Sequence, residues 1–477
     1  MQHNIRIFLD DLAWLSEKKG IIVDESERFS FETDWRGVVT NPAEAVLLPS
    51  TAAEVARIVE VCARHDVAVV PQGGNTGLVA GAVPIGNRRQ VILSLRRMNR
   101  IREIDTINDT MVAEAGVILS TAQDHAAKAN RLFPLSLGAE GSCHIGGNIA
   151  TNAGGVQVLS YGSTRNLVLG LEVVLADGRI WNGLRSLRKD NTGMDLKQLF
   201  IGSEGTLGII TAATLRLVPK PKRMVTGLIA IKSPAAALEV FTRMRDFAGS
   251  SLTSFEFFSA RSLCLVLDHI SPAIAPFEGR HPGYVLFEIA SLSVLDDLTG
   301  HIESILADYY ERDLIQDATI ASSESQRIAF WALRENITES ERAAGGAMKH
   351  DIAVPISKIP EAIARLEQAV ADCAPGAQPN IFGHIGDGNL HVNVMPAAGQ
   401  SLAELGKNSP LITSVVEDTV MALGGSFSAE HGIGQSRVNA FLRHKQDTEI
   451  DLMRIVKNAL DSRGTFNPGK IFGCITT

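Results

Sequence analysis

Three glycine-rich stretches between residues 71 and 211 constrain the fold of this chain more than any other feature of its sequence. They read PQGGNTGLVAG (71–81), GAEGSCHIGGNIATNAGG (138–155) and IGSEGTLGIIT (201–211). Backbone without side chains brings several N–H groups close to one anion, because no Cβ atom holds a phosphate away. Each stretch by itself is equally typical of turns and bulges. Three of them in one predicted domain favour a large nucleotide cofactor.

The usual nucleotide-binding fingerprints do not occur in this sequence. No predicted strand is followed by G-x-G-x-x-G, the signature of a Rossmann fold, and the P-loop pattern G-x-x-x-x-G-K-[ST] does not occur. A nucleotide site in this chain therefore needs another architecture.

Periodic patterns divide the chain into two halves. In the first half, TAAEVARIVEVCARHD predicts an amphipathic helix, VAVVP and QVILSL predict strands, and LVLGLEVVLADGRIW predicts a hairpin that turns at Asp177-Gly178. In the second half, strands such as VTGLIAIKS and GYVLFEIA alternate with helices such as PAAALEVFTRMRDFAG. This alternation predicts an antiparallel sheet with helices on one face. The segment from Pro219 to Lys222 is the predicted linker.

Composition excludes several classes of function. The 45 basic and 53 acidic residues form no basic stripe of the kind that binds nucleic acid, and no apolar run is long enough to predict a membrane span. The start, MQHNIRIFLDDLAWL, lacks the residue order of a signal peptide and the acid-poor character of a transit peptide. The five cysteines are scattered without a CxxC pair, which indicates reduced thiols. We therefore expect a cytoplasmic protein.

A second informative stretch, NIFGHIGDGNLHVNVM, begins at Asn380. Asp-Gly between two alternating runs predicts a two-residue hairpin loop at Asp387-Gly388. That register places His384 opposite His391, with Asn393 on the same face. Two facing imidazoles are either a hydrogen-bonded polar pair or two ligands of a metal ion, and a metal site would need a third, preferably anionic, ligand.

The three glycine stretches, in this order and spacing, resemble the flavin domain of the vanillyl-alcohol oxidase / p-cresol methylhydroxylase superfamily. PQGGNTGLVAG is similar to its pyrophosphate loop and GSCHIGGNIATNAGG to its second flavin loop. The resemblance implies an α+β fold with a two-subdomain FAD-binding domain and an α+β, ferredoxin-like cap domain with an antiparallel sheet. The implied regions are an N-terminal helical segment (1–37), the FAD-binding domain (38–219), the cap or substrate domain with a metal site (220–425), and a C-terminal segment that returns to the flavin site (426–477).

The same resemblance implies that FAD is held by backbone amides of the first two loops. Members with covalent FAD carry a histidine in the first loop, where this chain has Asn75, so we expect non-covalent FAD. Cys143 lies near the position of a second flavin linkage in some members, but we expect no thioether there. The residues expected to contact FAD are Pro71, Gln72, Gly73, Gly74, Asn75, Thr76, Gly77, Leu78, Gly138, Gly141, Ser142, Ile145, Gly146, Gly147, Asn148, Thr151, Asn152, Gly154, Gly155, Glu204, Gly205, Gly208, Ile209, Ile210 and Asn467.

In the second half, FGHIGDGNLHVNV and SAEHGIGQSR resemble the subgroup of FAD-dependent D-2-hydroxyacid dehydrogenases. The resemblance implies that His384, His391 and Glu430 bind a divalent metal and that His431 is the catalytic base. Two imidazoles and a carboxylate with a vacant position are typical of catalytic zinc, although manganese and iron accept similar ligands. A divalent ion at these ligands would make an alcohol more acidic, His431 would accept its proton, and flavin N5 would supply the acceptor for the C2 hydride.

A carboxylate substrate also needs a cation. The stretch SQRIAFWALRENITESER predicts one helix with Arg334 and Thr338 on the same face, and Lys349 lies beside a predicted strand. The resemblance implies that these residues bind substrate, and Asn393 is a further expected contact. Two cations suit a dicarboxylate, so we expect D-2-hydroxyglutarate or a similar D-2-hydroxy diacid. D-lactate, glycolate or another D-2-hydroxy monoacid is the alternative.

Two other classes of protein compete with this interpretation. A metal-dependent hydrolase would use the same histidines and glutamate to activate water, but it leaves the glycine stretches unexplained. A non-catalytic flavin subunit would not need the complete set of His384, His391, Glu430 and His431. We expect the electron acceptor to be an electron-transferring flavoprotein or another soluble carrier, and a homodimer is the default oligomer.

Overall fold

The structure, a computed structural model, describes residues 2–86, 88–295 and 297–473. The chain divides into two compact units. The terminal unit consists of Met1–Gly154, Gly162–Lys220 and Glu430–Thr477, and the central unit consists of Gly155–Tyr161 and Pro221–Ala429.

The strands of both units, in chain order, are β1 Ile21–Ile22, β2 Val46–Leu47, β3 Ala68–Gln72, β4 Gln90–Ser94, β5 Ile101–Asp105, β6 Thr110–Glu114, β7 Arg131–Leu132, β8 Val168–Val174, β9 Ile180–Gly183, β10 Ile209–Arg216, β11 Val218–Pro219, β12 Arg223–Ile231, β13 Leu252–Ser259, β14 Gly283–Ser291, β15 Asp317–Ile320, β16 Met348–Ala353, β17 Gln378–Gly383 and β18 Asn389–Met395.

The helices are α1 Gln2–Asp10, α2 Ala13–Ser16, α3 Glu25–Glu32, α4 Ala52–Arg64, α5 Leu119–Lys128, α6 Ile145–Ala150, α7 Val158–Tyr161, α8 Thr164–Leu167, α9 Lys197–Phe200, α10 Pro234–Ala248, α11 Ala260–His269, α12 Leu298–Glu311, α13 Glu324–Glu335, α14 Ile337–Ala343, α15 Ile359–Cys373, α16 Leu402–Gly406, α17 Ser409–Ala422, α18 Val438–His444 and α19 Asp447–Leu460, with short 3-10 turns at Gly249–Ser251 and Ile356–Lys358. Within the described residues, no helix combines the length and hydropathy needed to cross a bilayer.

The terminal unit contains two main sheets. One has the order β1-β2-β4-β3, with β2 and β3 both parallel to β4, and the other has the antiparallel order β5-β6-β10-β8-β9. The free edge of β3 is covered late in the chain, because Val69 N donates to Thr465 O and Asn467 N donates to Val69 O. The predicted hairpin at Asp177-Gly178 is confirmed: β8 and β9 are antiparallel, and Gly178 has φ +84°.

The central unit is built on one seven-stranded antiparallel sheet, with the order β15-β12-β14-β13-β17-β18-β16. The predicted α+β fold class with an antiparallel sheet in the cap is confirmed. The prediction of helices on one face is wrong, since α10, α12, α15 and α17 pack on one face and α11, α13 and α14 on the other. The strands explain this, because β14 is buried along nearly its whole length and alternating side chains enter both cores.

Local sequence explains where these helices begin. α10 starts after Ser233, whose side chain accepts a hydrogen bond from Ala236 N, and Pro234 occupies the first turn. Its apolar positions Val240, Phe241 and Met244 then recur on one face and are buried.

The unit boundaries at 220 and 429 lie close to the predicted boundaries at 219 and 425. The segment 1–37 belongs to the terminal unit, where Phe8, Leu12 and Leu15 are fully buried. The short segment Gly155–Tyr161 belongs to the central unit, although the residues directly before it, in the second glycine stretch, belong to the terminal unit. The roles assigned to these regions stay predictions.

Candidate active site

The first two glycine stretches form one cradle in the terminal unit. At Gly74 a Cβ atom would lie 2.1 Å from Ser142 O, so the two loops pack backbone against backbone at that point. By contrast, Gly77, Gly138, Gly141 and Gly147 face open space, with no protein atom within 4 Å of an added Cβ. The close packing fixes the loops, and the open glycines leave the room that a phosphate or a flavin ring needs. The cradle therefore fits FAD.

His144 Nδ1 and Asn467 Oδ1 are among the buried polar atoms of the terminal unit that lack a hydrogen-bond partner within the described part of the chain. Such atoms cost free energy unless a ligand or water satisfies them. Asn467 also lines a cavity of about 390 Å³. Burial lowers the pKa of His144, which keeps its ring neutral. Both atoms are suited to a polar ligand.

Several side chains that were expected to contact FAD hold the loops instead. The amides of Gln72 and Asn75 donate to backbone carbonyls of Phe31, Ala82 and Thr33. Asn152 Oδ1 accepts from Arg165 N, and Asn152 itself has φ +50°.

Cys143 is buried in the second loop and accepts a hydrogen bond from the amide of Asn148. Burial raises the pKa of its thiol, so the thiolate that a flavin thioether would require is disfavoured. Cys62, Cys264 and Cys373 are also free thiols, and Cys474 lies outside the described residues.

Glu204, in the third stretch, has both carboxylate oxygens occupied. Its Oε1 accepts from Ile433 N and its Oε2 from Gly434 N, each at 2.7 Å. Burial raises the pKa of Glu204, and these two backbone N–H groups oppose that rise. The glutamate therefore contacts the segment that begins with Glu430 and the half-buried His431.

In the central unit, the hairpin around Asp387 differs from its predicted register. His391 pairs with Phe382 rather than with His384, and His384 lies in a five-residue connection between β17 and β18. The Asp387 and Gly388 amides both donate to His384 O, which closes this longer loop. A two-residue loop of the predicted type needs positive φ at both central residues, and of Asp387 and Gly388 only Gly388, at φ +93°, adopts it. The two imidazole rings nevertheless lie 5.5 Å apart between centroids.

A buried carboxylate lies behind each imidazole. His384 Nδ1 donates to Glu256 Oε1 at 2.6 Å, and His391 Nδ1 lies 3.7 Å from Asp351 Oδ1. Burial by itself would raise the pKa of Glu256, but the charges of His384 and Arg334 bring it down to about 2. Donation through Nδ1 leaves Nε2 of His384 as the ligating atom, and a carboxylate behind a histidine is the usual support of a metal ligand.

Sequence reasoning missed Glu256 and Asp351. Each is an acidic residue inside an otherwise apolar strand, in TSFEFFS and in HDIAV, and both are almost fully buried. A charged residue in such a strand is costly unless it is paired, and that cost is the signal that could have identified both.

The prediction of one helix carrying Arg334 and Thr338 is wrong. α13 ends at Glu335, and α14 begins at Ile337 after a break at Asn336. Arg334 is buried and directs Nε and Nη2 to Glu256 Oε2, both at 2.9 Å, whereas Thr338 is exposed.

Asn393 and Lys349 are opposite each other in the β16–β18 register. The Asn393 amide donates to Glu341 Oε2 at 2.7 Å, and Asn380 donates to the other oxygen of Glu341 at 2.8 Å. Burial raises the pKa of Glu341, although the charge of Lys349 opposes that rise. Glu341, which sequence reasoning also missed, thus holds the face that Asn393 shares with Lys349.

Glu430 follows directly after Ala429, whose N–H donates to Asp351 O. Glu430, the predicted third ligand beside His384 and His391, is half-buried, and the ligand set stays a prediction. Two imidazole nitrogens and one carboxylate oxygen are a donor set that suits zinc and similar divalent ions.

Comparison with known families identifies two matching domains. Residues 43–183 match the FAD binding domain family, and residues 220–471 match the family of FAD linked oxidases, C-terminal domain. The mitochondrial D-2-hydroxyglutarate dehydrogenase of Bos taurus is 40% identical over 465 residues, which cover 97% of this chain and 83% of that protein. A putative mitochondrial D-lactate dehydrogenase of Schizosaccharomyces pombe is 37% identical over 458 residues, covering 94% of this chain and 85% of that protein.

Among solved structures, p-cresol methylhydroxylase with substrate bound aligns with a TM-score of 0.79 at 16% identity, covering 100% of this chain and 98% of that one. At this identity the alignment shows the fold alone, and the fold is the one predicted from the glycine stretches.

Proposed function

Since this chain belongs to the FAD-dependent D-2-hydroxyacid dehydrogenases of the vanillyl-alcohol oxidase / p-cresol methylhydroxylase superfamily, we propose that it oxidises D-2-hydroxyglutarate to the 2-oxo acid. The observation that carries this proposal is the pair of His384 and His391, whose ring centroids lie 5.5 Å apart, with a buried carboxylate behind each imidazole. Such support is expected where a ligand set must hold a cation in one geometry.

The proposed roles follow from the chemistry of each group. Backbone amides of the first two glycine stretches would hold FAD, whose N5 atom supplies the hydride acceptor. A divalent cation at the three ligands would supply the positive charge that makes a nearby hydroxyl group more acidic. His431, next to Glu430 in the chain, accepts the hydroxyl proton of the substrate.

Arg334, Thr338, Lys349 and Asn393 are the proposed substrate contacts. Glu256 fixes two of the three nitrogens of the Arg334 guanidinium, which leaves Nη1 to bind a carboxylate. Lys349 lies across the strand pair from Asn393 and supplies a second cation. Two cations favour a dicarboxylate such as D-2-hydroxyglutarate.

D-lactate is the second candidate substrate. The relative from Schizosaccharomyces pombe, whose name is a putative D-lactate dehydrogenase, supports it. A monoacid would use Arg334 and leave Lys349 without a substrate carboxylate to bind.

Further proposals concern the groups and partners of this chain. We propose non-covalent FAD, zinc at the metal site, an electron-transferring flavoprotein or another soluble carrier as electron acceptor, a cytoplasmic location and a homodimer. The raised pKa of the Cys143 thiol supports the first of these.

The test is anaerobic reduction of the bound flavin by a panel of 2-hydroxy acids, with both enantiomers of each, before and after treatment with a chelator. We expect D-2-hydroxyglutarate to bleach the flavin fastest, its L enantiomer to be inert, and chelation to abolish bleaching until metal is returned. If D-lactate is the one acid of the panel that bleaches the flavin, D-lactate replaces D-2-hydroxyglutarate as the proposed substrate. A protein that contains no flavin would overturn the proposal.

His431→Gln should separate the base from the ligands. Loss of a positioned general base lowers turnover about 10²- to 10⁴-fold, whereas the metal content should stay that of the wild type. Glu430→Gln should instead lower the metal content, measured by elemental analysis of dialysed protein. Loss of metal in His431→Gln would contradict the assignment of His431 as the base.

A further inference from the structure

The side chain of Glu204 holds the segment from Glu430 to Gly434 in the terminal unit. Both of its carboxylate oxygens accept hydrogen bonds from consecutive backbone N–H groups, Ile433 to Oε1 and Gly434 to Oε2. Two adjacent donors need two acceptors that carry no hydrogen, and among the side chains only a carboxylate offers this. The contact is therefore specific to an acidic residue.

Glu204 is itself fixed in an uncommon conformation. Its φ is +52°, in the left-handed region that costs free energy for a residue with a side chain. The backbone around it is tied on two sides, since Glu204 N donates to Ala150 O and the Asn467 amide donates to Glu204 O. A strained backbone conformation of this kind persists when the surrounding structure holds it in place. Here the held conformation points the Glu204 carboxylate at the segment.

The segment is shaped to receive that carboxylate. Gly432 has φ +78°, and a Cβ there would lie 2.6 Å from Glu204 Oε1. Gly434 has φ +51°, and a Cβ there would lie 2.1 Å from Val79 O in the first glycine stretch. Beyond these glycines, Gln435 N and Ser436 N donate to Val79 O.

We propose that Glu204 is a positioning residue for the reaction: its carboxylate fixes the backbone of the segment and thereby the places of Glu430 and His431. This inference rests on the proposed function for those two residues. The expected contact between Glu204 and FAD is a separate prediction. The segment thus depends on the glycine stretches for its geometry, without Glu204 contacting the reacting atoms.

The test compares Glu204→Gln with Glu172→Gln in the FAD-loaded full chain. Glu172 is a matched control, a buried carboxylate of the terminal unit that binds Arg102 and Thr211 and lies outside the proposed site. Glutamine keeps one acceptor oxygen but presents an NH2 group to the other backbone N–H. We expect amide exchange of a peptide spanning 430–436 to become about tenfold faster or more, the range for losing a hydrogen bond to a charged acceptor.

Two further readouts separate positioning from general loss of structure. The affinity for Zn²⁺, measured by competition with a chelator, should fall about 10- to 100-fold in Glu204→Gln, as it does when ligand support is removed. The FAD content and the flavin absorption spectrum should match those of the wild type. In Glu172→Gln, both the exchange of 430–436 and the Zn²⁺ affinity should be those of the wild type.

Unchanged exchange and Zn²⁺ affinity in Glu204→Gln, with an active wild-type enzyme, would overturn the positioning role alone. Faster exchange together with a wild-type enzyme whose flavin no 2-hydroxy acid reduces would support the contact and overturn the proposed function. If Glu204→Gln does not fold, Gly432→Ala provides the same test, since its methyl group displaces Oε1 while the carboxylate remains. Wild-type exchange in a folded Gly432→Ala protein would likewise overturn the role.

Discussion

The terminal and central units build their sites from different parts of the chain. In the terminal unit the groups proposed to bind the cofactor are backbone amides on loops. Glycines such as Gly77 and Gly147 leave space for it, because no side chain fills their positions. In the central unit the useful groups are side chains of a buried sheet and of the connection between two of its strands. There, His384 and Arg334 share the carboxylate of Glu256. We therefore expect an added methyl group to disturb the terminal site most, and the loss of a charged side chain to disturb the central site most.

The largest effect that this contrast predicts is that of Glu256→Gln. Removing one partner of a buried ion pair leaves the other charge uncompensated and typically costs about 3–5 kcal/mol. Arg334 would lose its counter-charge and His384 its carboxylate acceptor, so the free energy of unfolding in urea should fall by that amount. The affinity for Zn²⁺ should fall about 10- to 100-fold.

Glu288→Gln is the matched control for this prediction. Glu288 is buried in the same sheet and accepts from Arg327 and Trp331, but it contacts no proposed site residue. The Glu288→Gln variant should have a lower free energy of unfolding than the wild type and the same affinity for Zn²⁺. Equal Zn²⁺ affinities for the two variants would show that the carboxylate behind His384 does not support the metal site.

A smaller effect is predicted for Asp387→Asn, in the connection that carries His384. Burial raises the pKa of Asp387 to about 6, although the charge of His384 opposes that rise. Because the folded state binds this proton more tightly than the unfolded state, stability falls as the pH rises from about 4 to 6 and stays low above that range. The neutral variant should therefore be more stable at pH 7, by up to about 3 kcal/mol.

This gain should shrink to about 0.5 kcal/mol near pH 4, where Asp387 is protonated in the folded state and about half protonated in the unfolded state. Thermal unfolding of chelator-treated protein between pH 4 and 7 measures it. The exposed carboxylate Asp372 provides the control, and Asp372→Asn should stay within about 0.5 kcal/mol of the wild type at every pH. A pH-independent difference for Asp387→Asn would show that the charge of Asp387 is not the cause.

The smallest effect belongs to the terminal unit and should have opposite signs with and without cofactor. Gly147 lies inside α6 and faces open space, so Gly147→Ala should stabilise the FAD-free protein by up to about 1 kcal/mol. If FAD occupies that space, the methyl group should weaken FAD binding about tenfold or more, as measured by fluorescence titration.

The neighbouring position is the control for this prediction. A Cβ at Gly146 would lie 2.6 Å from Ala115 Cβ, so Gly146→Ala should destabilise the protein with and without FAD. Wild-type FAD affinity in Gly147→Ala would show that the cofactor does not use this part of the cradle.

Local patterns in the sequence were enough to predict most of the terminal unit. The β8–β9 hairpin is confirmed because an Asp-Gly turn between alternating runs is a short-range signal. The glycine stretches predicted the fold through their resemblance, in order and spacing, to a known flavin domain.

The central site was predicted less well, because its geometry depends on contacts between distant residues. The register of the β17–β18 hairpin was wrong by two residues, because a two-residue loop needs positive φ at both central residues and Asp387 does not adopt it. The side-chain period of a strand is two, so a shift of two residues kept the predicted face of His391. Glu256 and Asp351 were missed because their partners, His384 and His391, lie far away in the chain.

The pairing of β3 with residues near the end of the chain has a consequence for synthesis. Val69 exchanges its backbone hydrogen bonds with Thr465 and Asn467, so this edge of the sheet stays open on the ribosome until residue 467 has emerged. The central unit lies almost wholly within one continuous stretch, so it does not need the end of the chain in order to fold. Contacts between such distant residues also close slowly. A chain truncated after residue 429 and released from the ribosome should therefore carry a protease-resistant central unit and a terminal unit that is still digested.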